Sequence, residues 1–217
     1  MSSMLTALLA GIPWAACWSL HVLWCRRRIE RARRDPLTGL PGRSAFEAHA
    51  QRLMRAGSTA VALVDLNDFK AVNDDHGHAA GDAALVTTAE RLVGWAELHR
   101  GCAARLGGDE FALVLPAPDD LPSALGTLHA VLCRPVPYRQ VQLLAGASIG
   151  AFVAEGLPEP ARERAMRLAD EAMYAAKRNG GGWQVAESPV PSMTTTRGRR
   201  TGRRGTSAPA ARWGGSG

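Results

Sequence analysis

A pair of glycines, Gly107 and Gly108, separates two short strand-like runs, residues 102–106 and 110–115, and two carboxylates, Asp109 and Glu110, follow at once. Such a pattern reads as a β-hairpin, because glycine takes positive φ at little cost where the chain must reverse. The missing Cβ atoms also let a ligand come close to the backbone. Taken alone, a solvated turn with two surface acids would satisfy it. A third carboxylate changes its meaning: the apolar strand TAVALVDL, residues 59–66, carries Asp65 at its end. Strand-end carboxylates that face one another make an oxygen-rich site for Mg²⁺, with Mn²⁺ as an alternative, since such an ion takes a few protein oxygens and completes its shell with phosphate.

Downstream of Asp65, the segment DLNDFKAVNDDHGHAAGDAAL, residues 65–85, supplies groups a nucleotide would need. Lys70 is a point charge for phosphate, and the backbone amides around Phe69 lie near a helix start. Asn73 and Asp82 carry an amide and a carboxylate able to read a base edge. His76 and His78 have no cysteine or third histidine beside them, so hydrogen bonding or a structural role is expected in place of zinc. Elsewhere, helical spacing of apolar residues marks 44–56, with Ser44 as the expected N-cap, and then 80–94, 120–133 and 160–178. Further strands are expected at VQLLAGASIGAFVA, residues 141–154, and WQVA, residues 183–186. Helices and strands mix without regular alternation, which predicts an α+β domain with a largely antiparallel sheet.

Charge divides the chain. The net charge of +6 comes from its ends, with six arginines in residues 26–34 and six more between Arg197 and Arg212. Between them, residues 35–187 hold 14 basic against 19 acidic residues, so no specific nucleic-acid binding is expected of the folded part. Residues 4–25 contain no Asp, Glu, Lys or Arg, a 22-residue run close to the roughly 20 residues that cross a bilayer as a helix. Uncharged residues precede this run and arginines follow it. A transmembrane anchor over residues 1–25 is therefore expected ahead of a signal peptide, followed by a basic juxtamembrane linker at 26–34. The expected location is the inner or cell membrane, single-pass, with everything after the span in the cytoplasm. Residues 188–217, rich in Arg, Gly, Pro, Ser and Thr, are expected to be a disordered tail. Cys17, Cys25, Cys102 and Cys133 show no CxxC spacing, which disfavours a zinc site or disulfide framework. No Walker-type run is present.

Five motifs in order, DPLTGLPGR, DLNDFKAVNDDHGHAAGD, RLGGDEF, ASIGA and ADEAMYAAKRNG, resemble the diguanylate cyclases, or GGDEF domains, over about residues 34–186. The resemblance assigns a catalytic domain to residues 35–187. It implies a nucleotidyl-cyclase or palm-like fold with helices around the sheet and the signature on a β-hairpin. It implies condensation of two GTP into cyclic di-GMP with release of pyrophosphate, by a homodimer of half-sites. By the same resemblance, Asp65, the Leu66 carbonyl, Asp109 and Glu110 hold the metal, and Asp109 or Glu110 takes the 3′-hydroxyl proton. Asn73 and Asp82 read guanine, His78 lies near the nucleotide, Lys70, Arg105 and Lys177 meet phosphates, and Phe69, Gly107 and Gly108 offer backbone to the ligand. A non-catalytic receptor or scaffold binding GTP or cyclic di-GMP is the alternative; the presence of all five signature and base-reading acids and amides favours turnover. Two departures stand out. The positions of the family's inhibitory Arg-x-x-Asp hold Leu98 and Gly101, so product feedback through that motif is expected to be absent. Gly181 and Gly182 stand where an Arg and an Asn are usual, which removes a phosphate contact unless Arg178 substitutes.

Overall fold

The computed structural model describes residues 34–154 and 161–187, with Trp18 and His21 ahead of them. In chain order the elements are α1 (Arg43–Ala56), β1 (Thr59–Asn67), α2 (Phe69–His76), α3 (His78–Leu98), β2 (Cys102–Gly107) and β3 (Glu110–Pro116). They continue with α4 (Leu121–Leu132), β4 (Val136–Tyr138), β5 (Val141–Leu143), β6 (Gly146–Ala154), α5 (Ala161–Arg178) and β7 (Gly182–Val185). The main sheet runs in the order β2-β3-β1-β6-β7, antiparallel except between β6 and β7, and β4 and β5 form a separate hairpin. This is an α+β fold with a mostly antiparallel central sheet flanked by helices.

Both faces of the sheet are covered, which explains why its middle strands read as continuous apolar runs. In β1, Ala60, Ala62, Val64 and Leu66 point into a core shared with Leu85 and Leu92 of α3 and Leu125 and Leu128 of α4. Val61 and Leu63 point the other way, against Phe46 of α1 and Ala165, Ala169 and Met173 of α5. The period of two that governs strand side chains thus sorts residues between two helical layers. Asp65 continues the second set, so its carboxylate belongs to the α1/α5 side of the sheet.

Some boundaries differ from expectation. Ser44 lies inside α1; the N-cap is Gly42, in extended conformation and without a side-chain cap. An isolated antiparallel bridge between Arg34 and Pro41 closes a turn and pairs the chain up to the residue before that cap. The run 141–154 is two strands: Val141–Leu143 turns back on Val136–Tyr138, and a new strand begins at Gly146. The expected anchor, the basic linker up to Arg33 and the tail from residue 188 lie outside the described residues, Trp18 and His21 excepted. Among the described residues, no helix is long and apolar enough to cross a membrane.

Candidate active site

Register brings the first carboxylates together. Asp65 pairs directly with Glu110 of β3 on one side and with Ser148 of β6 on the other. Residues opposite one another in an antiparallel pair share a face, so Glu110 stands beside Asp65. Asp109 is fixed by its own backbone, its carbonyl accepting from the Leu66 amide at 3.4 Å. Lys177, in the last turn of α5 on that same side of the sheet, places Nζ 2.5 Å from Asp65 Oδ1. The hydrogen bond to Asp65 raises the lysine above its ordinary value; burial works against this, and the fields of Asp65, Asp109 and Asp68 add to it. The ammonium is thus bonded to one carboxylate and lies in the negative field of two more, an environment that favours cations.

The turn that carries the signature has its own support. Gly107 has φ +148° and Gly108 φ +54°, and a Cβ at either would meet nothing within 4 Å, so the backbone angle and not crowding calls for glycine there. Arg105 donates from Nε and Nη2 to the Gly108 carbonyl at 3.0 and 2.7 Å, and from Nη1 to Asp35 Oδ1 at 2.9 Å. The same Asp35 oxygen accepts from the Thr38 amide and hydroxyl at 2.8 and 2.7 Å. Burial alone would raise the Asp35 carboxyl, but the Thr38 bonds and the Arg105 guanidinium outweigh it and hold the group below the usual aspartate value. Arg105, expected at a phosphate, clamps the signature turn through these bonds. Asp35 and Thr38 had no assigned role in the sequence reading, although an Asp followed three residues later by Thr marks a side-chain turn.

The base-reading candidates form a second group. The chain leaves β1 through Asp68, which has φ +55°, and enters α2 without a side-chain cap, leaving the first amides of that helix around Phe69 and Lys70 available. Asn73 donates to the Phe69 carbonyl at 3.2 Å. Its Oδ1 fits against α3 only because residue 81 is glycine, where a Cβ would lie 2.1 Å from that atom. His78 and Asp82 are exposed and one turn apart on α3, so they share a face. Lys70 is exposed as well. Since Asp68 links β1 directly to α2, this corner adjoins the carboxylates.

The departure at Gly181 has a structural counterpart. With φ +107°, a Cβ at residue 181 would come 2.6 Å from Asn67 Nδ2, and Asn67 is held in place by the Ser148 hydroxyl at 2.7 Å. A side chain there is both strained and obstructed. Arg178 lies over the Tyr174 ring, 5.1 Å from its centroid. Among the described residues, no three His, Cys, Asp or Glu side chains converge as a ready metal cage. The donor chemistry nonetheless fits Mg²⁺, which commonly takes one or two carboxylates and leaves the rest of its shell to water and phosphate.

The sequence matches the family described as diguanylate cyclase, GGDEF domain, over residues 32–182. The chain belongs to the GGDEF family. A relative in Streptomyces ambofaciens, an uncharacterized 19.3 kDa protein in the repSA 5′ region, is 47% identical over 161 residues, spanning 74% of this chain and 86% of that protein. Diguanylate cyclase TpbB of Pseudomonas aeruginosa UCBPP-PA14 is 36% identical over 174 residues, 75% of this chain but only 39% of TpbB. Among solved structures, the coiled coil and GGDEF domain of DgcB from Caulobacter crescentus in complex with c-di-GMP superimposes with a TM-score of 0.69 at 25% identity, covering 82% of this chain and 98% of that one.

Proposed function

We propose that the chain is a diguanylate cyclase, condensing two GTP into cyclic di-GMP and two pyrophosphates. The observation that carries this reading is the register pairing of Asp65 with Glu110 beside the signature turn, with Lys177 on the same carboxylate. Each subunit binds one GTP, guanine toward Asn73 and Asp82 and phosphates toward Lys70, Lys177 and the free amides at the start of α2. Two subunits then face each other so that each 3′-hydroxyl attacks the α-phosphate of the other nucleotide, and the dimer supplies proximity. Asp65, the Leu66 carbonyl, Asp109 and Glu110 would hold Mg²⁺, which when bound stabilises charge on the attacked phosphate and the leaving pyrophosphate. Glu110, exposed at the rim, or Asp109 beside it accepts the 3′-hydroxyl proton. Arg105 and Asp35 keep the turn rigid while this happens.

The composition of residues 4–25 supports attachment of the chain to the cell membrane with the catalytic domain in the cytoplasm. Incubating the purified chain with GTP and Mg²⁺ and identifying the product by mass spectrometry tests the proposed function: cyclic di-GMP is expected. Saturable GTP binding with no product would instead identify a receptor.

A further inference from the structure

We propose that Lys177 is the resident counter-cation of the metal-binding carboxylate, so that a divalent ion and the Lys177 ammonium compete for Asp65 and the nucleotide-free protein holds the ion weakly. The inference rests on the reading of Asp65 as a metal ligand. The Asp65 side chain is 10% exposed and its Oδ1 receives the Lys177 ammonium at 2.5 Å. A carboxylate that buried needs a cation beside it, because an uncompensated charge out of water is strongly unfavourable. A metal ion at Oδ1 would meet the ammonium held 2.5 Å from that oxygen, so the two cations repel and compete for it. Lys177 is placed to yield: its side chain is 46% exposed, it sits in the last turn of α5, and its flexible stem gives the ammonium a path to solvent. Phosphate changes the balance, since it ligates the incoming ion and offers the displaced ammonium a new partner. Metal and nucleotide should therefore enter together, each weakly without the other.

The neighbouring Arg178 separates direct occupancy from a general field effect. It carries the same charge one residue away, yet its guanidinium stands over the Tyr174 ring 5.1 Å from the centroid. Binding of Mn²⁺ to the full chain without nucleotide, followed by electron paramagnetic resonance, is the test. If Lys177 occupies the site, Lys177→Met should bind Mn²⁺ roughly tenfold tighter than wild type or better, whereas Arg178→Met should stay within about twofold of wild type. Adding Asp65→Asn should abolish the gain. A second measurement needs no variant at Lys177: acetylation of Lys177 in the wild-type chain, read by mass spectrometry, should accelerate when Mg²⁺ is raised to saturation. Equal Mn²⁺ affinity in wild type and Lys177→Met, an equal gain in Arg178→Met, or Mg²⁺-independent acetylation would overturn the inference while leaving the metal site standing. No Mn²⁺ binding by any form, even with a non-hydrolysable GTP analogue present, would remove the metal site and the inference with it.

Discussion

Arg105 shows how much of this site depends on contacts between residues far apart in the chain. It joins the Gly108 carbonyl of the signature turn to Asp35, 70 positions earlier. Asp35→Asn weakens a charge-assisted, partly buried bond, so a loss of about 1–3 kcal/mol of stability is expected in denaturant unfolding. If the clamp positions the turn, turnover should fall more than GTP affinity does. The pH dependence has a definite sign. The folded-state value of Asp35 lies below its ordinary 3.8, so its stabilisation is complete above that value and disappears as pH falls through the depressed one. The gap in melting temperature between wild type and Asp35→Asn should therefore be present at neutral pH and close in strong acid. Asp82 predicts the opposite profile, a binding effect without a folding effect, because its side chain is exposed. Asp82→Asn should weaken a non-hydrolysable GTP analogue by roughly 1.5–3 kcal/mol in calorimetry and leave thermal unfolding unchanged.

Among elements, α5 packs tightly on β6 at Gly150. A Cβ at Gly150 would lie 2.0 Å from the Met173 amide nitrogen and 2.1 Å from the Ala169 carbonyl, both backbone atoms that cannot step aside. Gly150→Ala should push α5 off the sheet, cost at least about 1–3 kcal/mol in chemical unfolding, and move Lys177 away from Asp65. What could be read in advance follows the range of the forces involved. The hairpin at Gly107–Gly108 and the strand carrying Asp65 were legible because glycine pairs and apolar runs are local signals. So were α1, α4 and α5, to within a residue or so at their ends. The break at Leu144–Ala145 was not, because it comes from Val141–Leu143 pairing with Val136–Tyr138 and not from any breaker in the apolar run. The sequence also marked Asp65 and Glu110 as neighbours without stating their register, whereas the Asp35–Arg105 clamp and the Asn67–Ser148 bond had no local signature as side-chain contacts.

For the whole molecule, the proposed chemistry needs two nucleotide-loaded subunits face to face, and confinement to a membrane raises their effective concentration as a tether does. A chain lacking residues 1–25 should show specific activity that climbs with protein concentration, and a dimerising coiled coil in place of those residues should restore activity on dilution. Concentration-independent activity in the truncated chain would point to a tight intrinsic dimer. With Leu98 and Gly101 at the Arg-x-x-Asp positions, initial rates should barely respond to added cyclic di-GMP until it competes with GTP. The most direct test of the account is a time course of pyrophosphate and cyclic di-GMP released from GTP and Mg²⁺ by wild type and by the Asp109→Ala, Glu110→Ala double variant. Wild type should release two pyrophosphates for every cyclic di-GMP, and a double variant that still folds should show no turnover. Release of orthophosphate in place of pyrophosphate, or a folded double variant turning over within about tenfold of wild type, would contradict it.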